Sequence, residues 1–411
     1  MDKEIFGLIG RKLGHSDSAV IHDAFGLKDY SLFEIEPDQI EGFLNTPGLK
    51  GLNVTIPYKR DVIPYMDELT EEAEAVGSVN TIVFQNGKKI GHNTDVFGIY
   101  SMAKRAGIDF KEKKVVIFGN GGASRAVVYA AKNMGAKEIV VISRTGENNY
   151  ENLFLHEDAD ILVNATPVGM YPNPEGAIVD PARFKKAAGC MDLVYNPRLT
   201  DFLRLAKNAG KTCVNGLGML VAQAKQAEEW FLQKKIDDAE IDRVLCEVAR
   251  KRTSIALVGM PGAGKSSVGR ALGEISGLPV YDADAEIEKE AGMTIPEIME
   301  KEGVSAFRER EACVIQRLSL LRGAVIVTGG GAVLREDNRI NLKRNARVYE
   351  ISRDVNLLPK EGRPLSKDLV QMEKDRAPYY ALARDIKIHN NQTIEDASRR
   401  IWRDFCENTR D

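Results

Sequence analysis

Residues 113–145 read KKVVIFGNGGASRAVVYAAKNMGAKEIVVISRT, and this stretch decides the fold of the first half of the chain. An apolar run, a glycine turn, a helical pattern and a second apolar run follow one another, which predicts a βαβ unit. Gly119, Gly121 and Ser124 stand where the dinucleotide fingerprint G-x-G-x-x-G has its three glycines. The first two suffice for the tight turn and the approach of a pyrophosphate, and a small serine fills the packing role of the third. Taken alone, the same turn reads equally well as structural. Arg144 follows the first glycine by 25 residues. An acid at this place binds a ribose 2′-hydroxyl, whereas an arginine suits a 2′-phosphate, so NADP(H) is the expected cofactor. The alternative is an exposed arginine ending a strand.

Outward from this unit, ADILVNATPVGM (159–170) and CMDLVYNP (190–197) read as further buried parallel strands running into loops. Before it, β-branched runs such as GLNVTI and SVNTIVF alternate with helical patterns such as MDELTEEAEAV, as expected of a small α/β unit. After NGLGML, residues 221–251 give an almost unbroken helical pattern that runs into the strand of SIALVGMPGAGKSSVGRAL without a Gly/Ser/Pro-rich linker.

That second segment carries another glycine loop. Gly259, Gly264, Lys265 and Ser266 satisfy GxxxxGK[ST] between an apolar strand and a helical pattern. Backbone N–H groups would hold phosphate oxygens, Lys265 would reach the β and γ phosphates, and Ser266 would ligate magnesium, so MgATP is expected here. In LPVYDAD, Asp282 and Asp284 are two residues apart, and on a continuing strand both carboxylates would leave one face. One would serve the magnesium shell and the other an acceptor hydroxyl; two acids merely ending a strand is the bland alternative. Arg308 and Glu311 in FRERE share a helix face, and Gly329, Gly330 and Gly331 expose backbone to a ligand.

At 411 residues two or three domains are expected. Five cysteines lack metal-site or disulfide spacing, and neither a signal segment nor a bilayer-length apolar run is read, so a cytoplasmic protein is expected. Net charge is −3, and neither half has the basic balance of a nucleic-acid binder.

GMPGAGKS, DAD, FRERE, TGGG, GRPL and RAPYY, in this order across residues 253–411, resemble shikimate kinase. The resemblance implies that Asp284 receives or orients the 3-hydroxyl of shikimate. It implies that Arg308, Arg376, Gly330 and Gly331 bind the carboxylate, and that Arg363 steadies the phosphoryl from a lid. Gly259, Gly262, Ala263, Gly264, Lys265, Ser266 and Ser267 would bind ATP, with Ser266 and Asp282 at magnesium. The lid segment NLLPKEGRPLSKD is short and lacks the second arginine that members often carry.

Likewise GHSDSAVIHDAF, GLNVTIPYK, AVGSVNTI, GHNTDVFG, GNGGASRA, SRT, NATPVGM, DLVYNP and GLGMLVAQA resemble shikimate dehydrogenase. Lys59 and Asp95 would then be the catalytic pair. Ser16, Ser18 and Tyr195 would surround the substrate carboxylate, and Thr55, Asn80 and Gln223 would bind its hydroxyls. Gly119, Gly121, Gly122, Ala123, Ser143, Arg144, Thr145 and Gly216 would hold NADP. Asp95, Ser16 and Ser18 are also good helix caps, which is the competing structural reading. Ala19 replaces a proline common in the family, and only residues 146–163 separate SRT from NATPVGM.

The expected architecture is an α/β substrate domain (1–100 plus 216–251), a Rossmann-like NADP domain (101–215) and a P-loop domain of nucleoside-monophosphate-kinase type with a parallel sheet (252–411). The expected function is reduction of 3-dehydroshikimate followed by phosphorylation of shikimate, small molecules being the partners of a monomer or homodimer. Two alternatives stand beside it: one half idle as a regulatory or scaffold module, or a dehydrogenase half that also uses quinate.

Overall fold

The computed structural model describes residues 4–14, 16–354 and 369–409, and the strands among them form three sheets. The first sheet is mixed. It is built from β1 (Ile5–Gly10), β2 (Tyr30–Glu34), β3 (Leu49–Val54), β4 (Glu68–Leu69), β5 (Thr81–Gln85) and β6 (Lys88–His92), in the order β2-β1-β3-β5-β6-β4. Asn86 and Gly87, with φ of 53° and 77°, make the two-residue turn of the β5–β6 hairpin; both central residues of such a turn need positive φ, which Asn-Gly supplies at least cost. Ile9, Leu52, Val54 and Ile82 build the core on one face.

Helix Leu217–Leu232 returns to this sheet late in the chain. A side chain on Gly51 would meet the Phe231 ring at 2.1 Å, and one on Gly98, in helix Asp95–Ala106, would meet the Met219 carbonyl at 2.7 Å. Those two glycines set how closely sheet and helices approach.

The second sheet is parallel throughout: β7 (Lys114–Phe118), β8 (Glu138–Ile142), β9 (Ile161–Asn164), β10 (Gly189–Asp192) and β11 (Thr212–Val214), in the order β11-β10-β9-β7-β8. The strand order reverses between β7 and β9, and the crevice beyond the carboxyl ends there is where open α/β sheets bind ligands. β8 ends the sheet, and only the short 3₁₀ turn Leu153–His156 lies between it and β9.

The third sheet is also parallel, with β12 (Ser254–Val258) central, flanked by β14 (Val325–Val327) and β15 (Ala346–Ser352), and with β13 (Val280–Asp282) and β16 (Ile386–His389) at the edges. The central strand β12 and its neighbour β14 are buried along their whole length, as strands covered on both faces require, while the edge strands β13 and β16 carry exposed positions. The chain divides into two compact units, one of residues up to 196 with 200–248, the other of 197–199 with 249–410. Among the described residues no helix is long and apolar enough to cross a membrane.

Two local expectations are corrected. The helical pattern over 221–251 is broken: the helix ends at Gln233, whose φ is +50°, and a new one spans Ala239–Arg252. Side chains capture the backbone of the break, since Ile236 N–H donates to Glu229 Oε1 (2.9 Å) and Ala239 N–H to Asp237 Oδ1 (2.9 Å). Such side-chain capture needs no glycine or proline, so the pattern conceals it. Secondly, the strand does not continue past Asp282, so the two carboxylates of DAD do not share a strand face. Asp282 caps helix Ala283–Ala291, its Oδ1 accepting from the Asp284 N–H at 3.1 Å.

Candidate active sites

In the first unit, β3 ends at Val54 and the chain turns through residues 55–62, presenting Lys59. Asp95 opens the helix that follows β6. Its side chain makes no cap. Instead Asp95 Oδ2 accepts from Lys59 Nζ at 2.6 Å, with the lysine side chain 22% exposed and the aspartate 7%. Asp95 Oδ1 accepts from Asn80 Nδ2 at 3.0 Å, and Asn80 Nδ2 also lies 3.3 Å from Gln223 Oε1. Asn80 is itself fixed, because its Oδ1 accepts from the Thr94 N–H at 2.8 Å and the Thr94 hydroxyl at 3.2 Å. A lysine, a carboxylate and two amides are thus brought together, with the ammonium held by one carboxylate oxygen. Such a group can give a proton to an oxygen and recover it, with its orientation preset.

Ser16 and Ser18 stand beyond the carboxyl end of β1. Ser16 Oγ is 3.1 Å from Ser18 Oγ and accepts from the Ser18 N–H at 3.2 Å, so Ser16 serves the start of the helix. Thr55 follows β3, its N–H donating to the Ile9 carbonyl at 3.0 Å, and Tyr195 follows β10.

The glycine turn after β7 is built for close approach. Gly119 has φ +106°, and a side chain there would meet the Ala165 carbonyl at 3.0 Å. Gly121 precedes the first turn of helix Gly122–Asn133 with open space where a Cβ would point, so the backbone N–H groups of the turn, with Ala123 in the first helical turn, fit a pyrophosphate. Ser124 is 1% exposed, in the packing position. Ser143 is buried while Arg144 and Thr145 are exposed just beyond β8, where a 2′-phosphate would lie. Gly216 precedes the helix that carries Gln223, and a Cβ there would collide with the Leu193 carbonyl at 2.1 Å.

In the second unit, Gly259, Gly262 and Gly264 have φ of +145°, +86° and +95°, so the loop after β12 is open to few residues but glycine. Lys265 Nζ donates to the carbonyls of Gly259 (2.9 Å) and Met260 (3.0 Å), and Asn390 Nδ2 clamps Ala263 from beyond β16 at 2.8 Å. Ser266 Oγ donates to Asp282 Oδ2 at 2.8 Å, an oxygen pair suited to magnesium, and Ser267 lies in the same helical turn. A cavity of about 340 Å³ brings Lys265, Ser266, Asp284, Arg308, Gly330, Gly331 and Arg376 together.

The glycine run forms one wall of that cavity, and functional atoms occupy the space its missing side chains leave. A Cβ on Gly329 would lie 2.8 Å from Asp284 Oδ1, and one on Gly331 would lie 2.3 Å from Arg308 Nη2. Arg308 Nη1 donates to Glu311 Oε2 at 2.6 Å, and Arg376 Nη1 to the Gly330 carbonyl at 2.9 Å. Burial, reinforced by the Asp282 and Glu311 carboxylates, pushes Asp284 up to about 6, while Lys265 and Arg308 pull the other way. Burial raises Glu311 against the pull of Arg308. Arg363 lies outside the described residues.

Sequence reasoning overlooked Asn390, whose isolated amide carries no motif. It also overlooked Asp192, at the carboxyl end of β10, which accepts from Asn164 Nδ2 (2.9 Å), the Val194 N–H (3.0 Å) and Thr200 Oγ1 (2.6 Å) and so ties the loops after β9 and β10. The Asp in DLVYNP was its only sign. Burial lifts its carboxyl to about 7, with those three donors opposing.

A glycine turn at the reversal point of a parallel sheet and a GKS loop beside an arginine-lined cavity define a dinucleotide-type oxidoreductase followed by a P-loop kinase. Comparison with known proteins makes this specific. A family model described as the shikimate dehydrogenase substrate binding domain matches residues 8–82, and one described as shikimate kinase matches residues 261–406. A shikimate dehydrogenase (NADP(+)) of Clostridium perfringens is 38% identical over 268 residues, covering 60% of this chain and 98% of that one. The crystal structure of a chorismate mutase/shikimate 5-dehydrogenase fusion protein from Clostridium acetobutylicum superposes with a TM-score of 0.57 at 37% identity, over 59% of this chain and 96% of that one. That of a shikimate dehydrogenase in complex with NADP+ gives 0.54 at 31%, over 60% and 96%. The chain belongs to the shikimate dehydrogenase family and carries a shikimate kinase domain behind the dehydrogenase. It is a bifunctional enzyme of the shikimate pathway.

Proposed function

We propose that the first half reduces the C3 ketone of 3-dehydroshikimate and that the second half phosphorylates the oxygen so formed, giving shikimate 3-phosphate. The observation that carries this reading is the pairing of two dedicated sites: the Lys59–Asp95 contact at 2.6 Å, and Asp284 in the cavity lined by Arg308 and Arg376. NADPH supplies the hydride and MgATP the phosphoryl group. Lys59 Nζ gives its proton to the developing C3 alkoxide, and Asp95 holds the ammonium on line. Asn80, Gln223 and Thr55 bind the ring hydroxyls, and Ser16, Ser18 and Tyr195 the carboxylate.

In the second half, Arg308 and Arg376 clamp the shikimate carboxylate. Asp284 Oδ1 takes the proton of the 3-hydroxyl, Lys265 steadies the phosphates, and Ser266 and Asp282 hold the magnesium. The division we assign is 1–100 plus 216–251 for substrate, 101–215 for NADP and 252–411 for the kinase, in a cytoplasmic protein acting on small molecules.

Incubation with 3-dehydroshikimate, NADPH, ATP and magnesium, omitting each nucleotide in turn, tests this. Shikimate should accumulate without ATP, and shikimate 3-phosphate should form only with both. No reduction, or no phosphorylation of added shikimate, would leave one half idle; turnover of quinate with NADP+ comparable to that of shikimate would redefine the first half's substrate.

A further inference from the structure

A buried polar chain leads from the Lys59–Asp95 pair to residues that no step above touches. His22 and Glu228 are 0% and 1% exposed. His22 Nδ1 lies 3.1 Å from Glu228 Oε2 and Nε2 lies 3.0 Å from Asn53 Oδ1, while the ring stacks on Tyr30 with centroids 4.1 Å apart. Asn53 Oδ1 also accepts from the Tyr30 hydroxyl at 2.7 Å. An amide oxygen has no proton to give, so His22 Nε2 is the donor.

From that atom the direction of every link is fixed. Asn53 Nδ2 donates to Thr81 Oγ1 at 3.1 Å, Thr81 Oγ1 to Asn80 Oδ1 at 3.1 Å, and Asn80 Nδ2 to Asp95 Oδ1 at 3.0 Å. Asp95 Oδ2 accepts from Lys59. Donation therefore runs one way from the imidazole to the carboxylate. Glu228 Oε2 holds the ring's other nitrogen, Nδ1, at 3.1 Å, so the imidazole is fixed from both sides. The Asn53 amide is in turn oriented from both ends, by His22 and Tyr30 at its oxygen and by Thr81 and the Asn80 carbonyl (3.4 Å) at its nitrogen. Loss of the imidazole removes one holder of that amide, and a turned Asn53 would draw the Thr81 hydroxyl away from Asn80.

We propose that His22, its ring held between Glu228 and Asn53, is a positioning residue for the reduction, orienting the Asn80 amide on Asp95 and through it the Lys59 ammonium. The inference rests on Lys59 and Asp95 being the catalytic pair.

Dehydrogenase kcat and KM are measured for His22→Leu, Glu228→Leu, Glu228→Gln and Lys59→Ala, with ATP-dependent phosphorylation and Tm followed in each preparation. A glutamine amide can still hydrogen-bond Nδ1 and hold the ring, so Glu228→Gln should stay within about threefold of the parent kcat. Misorientation by a fraction of an ångström to an ångström should cost His22→Leu and Glu228→Leu roughly 10- to 100-fold in kcat with KM for shikimate nearly constant. Parent-like kcat in both leucine variants, or equal loss in Glu228→Gln and Glu228→Leu, would overturn the proposal. If His22→Leu does not fold, the contrast between the two Glu228 variants decides. An active Lys59→Ala would instead overturn the catalytic pair on which the proposal rests.

Discussion

Lys59 and Asp95 come from different elements, 36 positions apart, and meet at 2.6 Å with the aspartate nearly buried and the lysine still open to a substrate. The carboxylate's second oxygen is occupied by Asn80, so the ammonium is confined to one direction. Lys59→Ala removes the proton donor and should lower kcat for reduction by about 10²–10⁴-fold. Phosphorylation of added shikimate by the same preparation should be unchanged. Loss of both activities in a folded Lys59→Ala protein would show that the two sites are not independent.

Asp284 sets activity against stability. Its carboxyl is raised to about 6 from an ordinary value near 3.8, so between those two pH values the native state binds the proton more tightly than the unfolded chain. Stability is therefore lost as pH rises through that window, and the deficit persists above pH 6. Asp284→Asn should abolish phosphorylation yet raise the stability of the kinase unit at pH 7.5 by roughly 1–2 kcal/mol. Denaturant melts at pH 7.5 and pH 4.5 check this, since the gain should shrink at the lower pH.

The same group gives the kinase its acid limb. If Asp284 must be ionised to accept the proton, kcat/KM for shikimate should fall about tenfold per pH unit below pH 6. A profile flat down to pH 5 would remove Asp284 from the proton's path.

Gly331 has φ near −104°, which an alanine tolerates, so space alone forbids the change. A methyl group there would displace the Arg308 guanidinium. Gly331→Ala should raise KM for shikimate by about 10-fold or more, the worth of one charge-assisted contact, with the Michaelis constant for ATP little altered. Steady-state kinetics with each substrate varied in turn decides.

Arg144, exposed beyond β8, is the cation we assign to a 2′-phosphate. Arg144→Ala should raise KM for NADPH by about 10- to 100-fold and leave that for NADH nearly unchanged. Equal loss with both cofactors would assign Arg144 to a purely structural role.

How much of this was legible in the sequence depended on locality. The βαβ unit and the GKS loop are written in consecutive residues with their periodicities, and the structure has both. Asp284, Arg308 and the glycine run were each recognisable, but not that Arg308 and Asp284 occupy the space opened by Gly331 and Gly329. Such a relationship lies between distant segments. The break at Gln233 and the cap at Asp282 were misread because side chains, not backbone punctuation, ended those elements. His22 and Asn53 sit inside recognisable stretches, yet their connection to Asp95 passes through four strands and helices and has no sequence period.

The short path from β8 to β9 has a colloidal consequence. β8 pairs only with β7 among the described residues, so EIVVI forms a sheet margin, and Phe154 and Leu155 on the following turn are 62% and 60% exposed. An uncovered, β-branched margin is a template for strand addition by another chain. A charge placed on the exposed turn beside it, such as Leu155→Lys, addresses the concentration at which this enzyme stays dispersed.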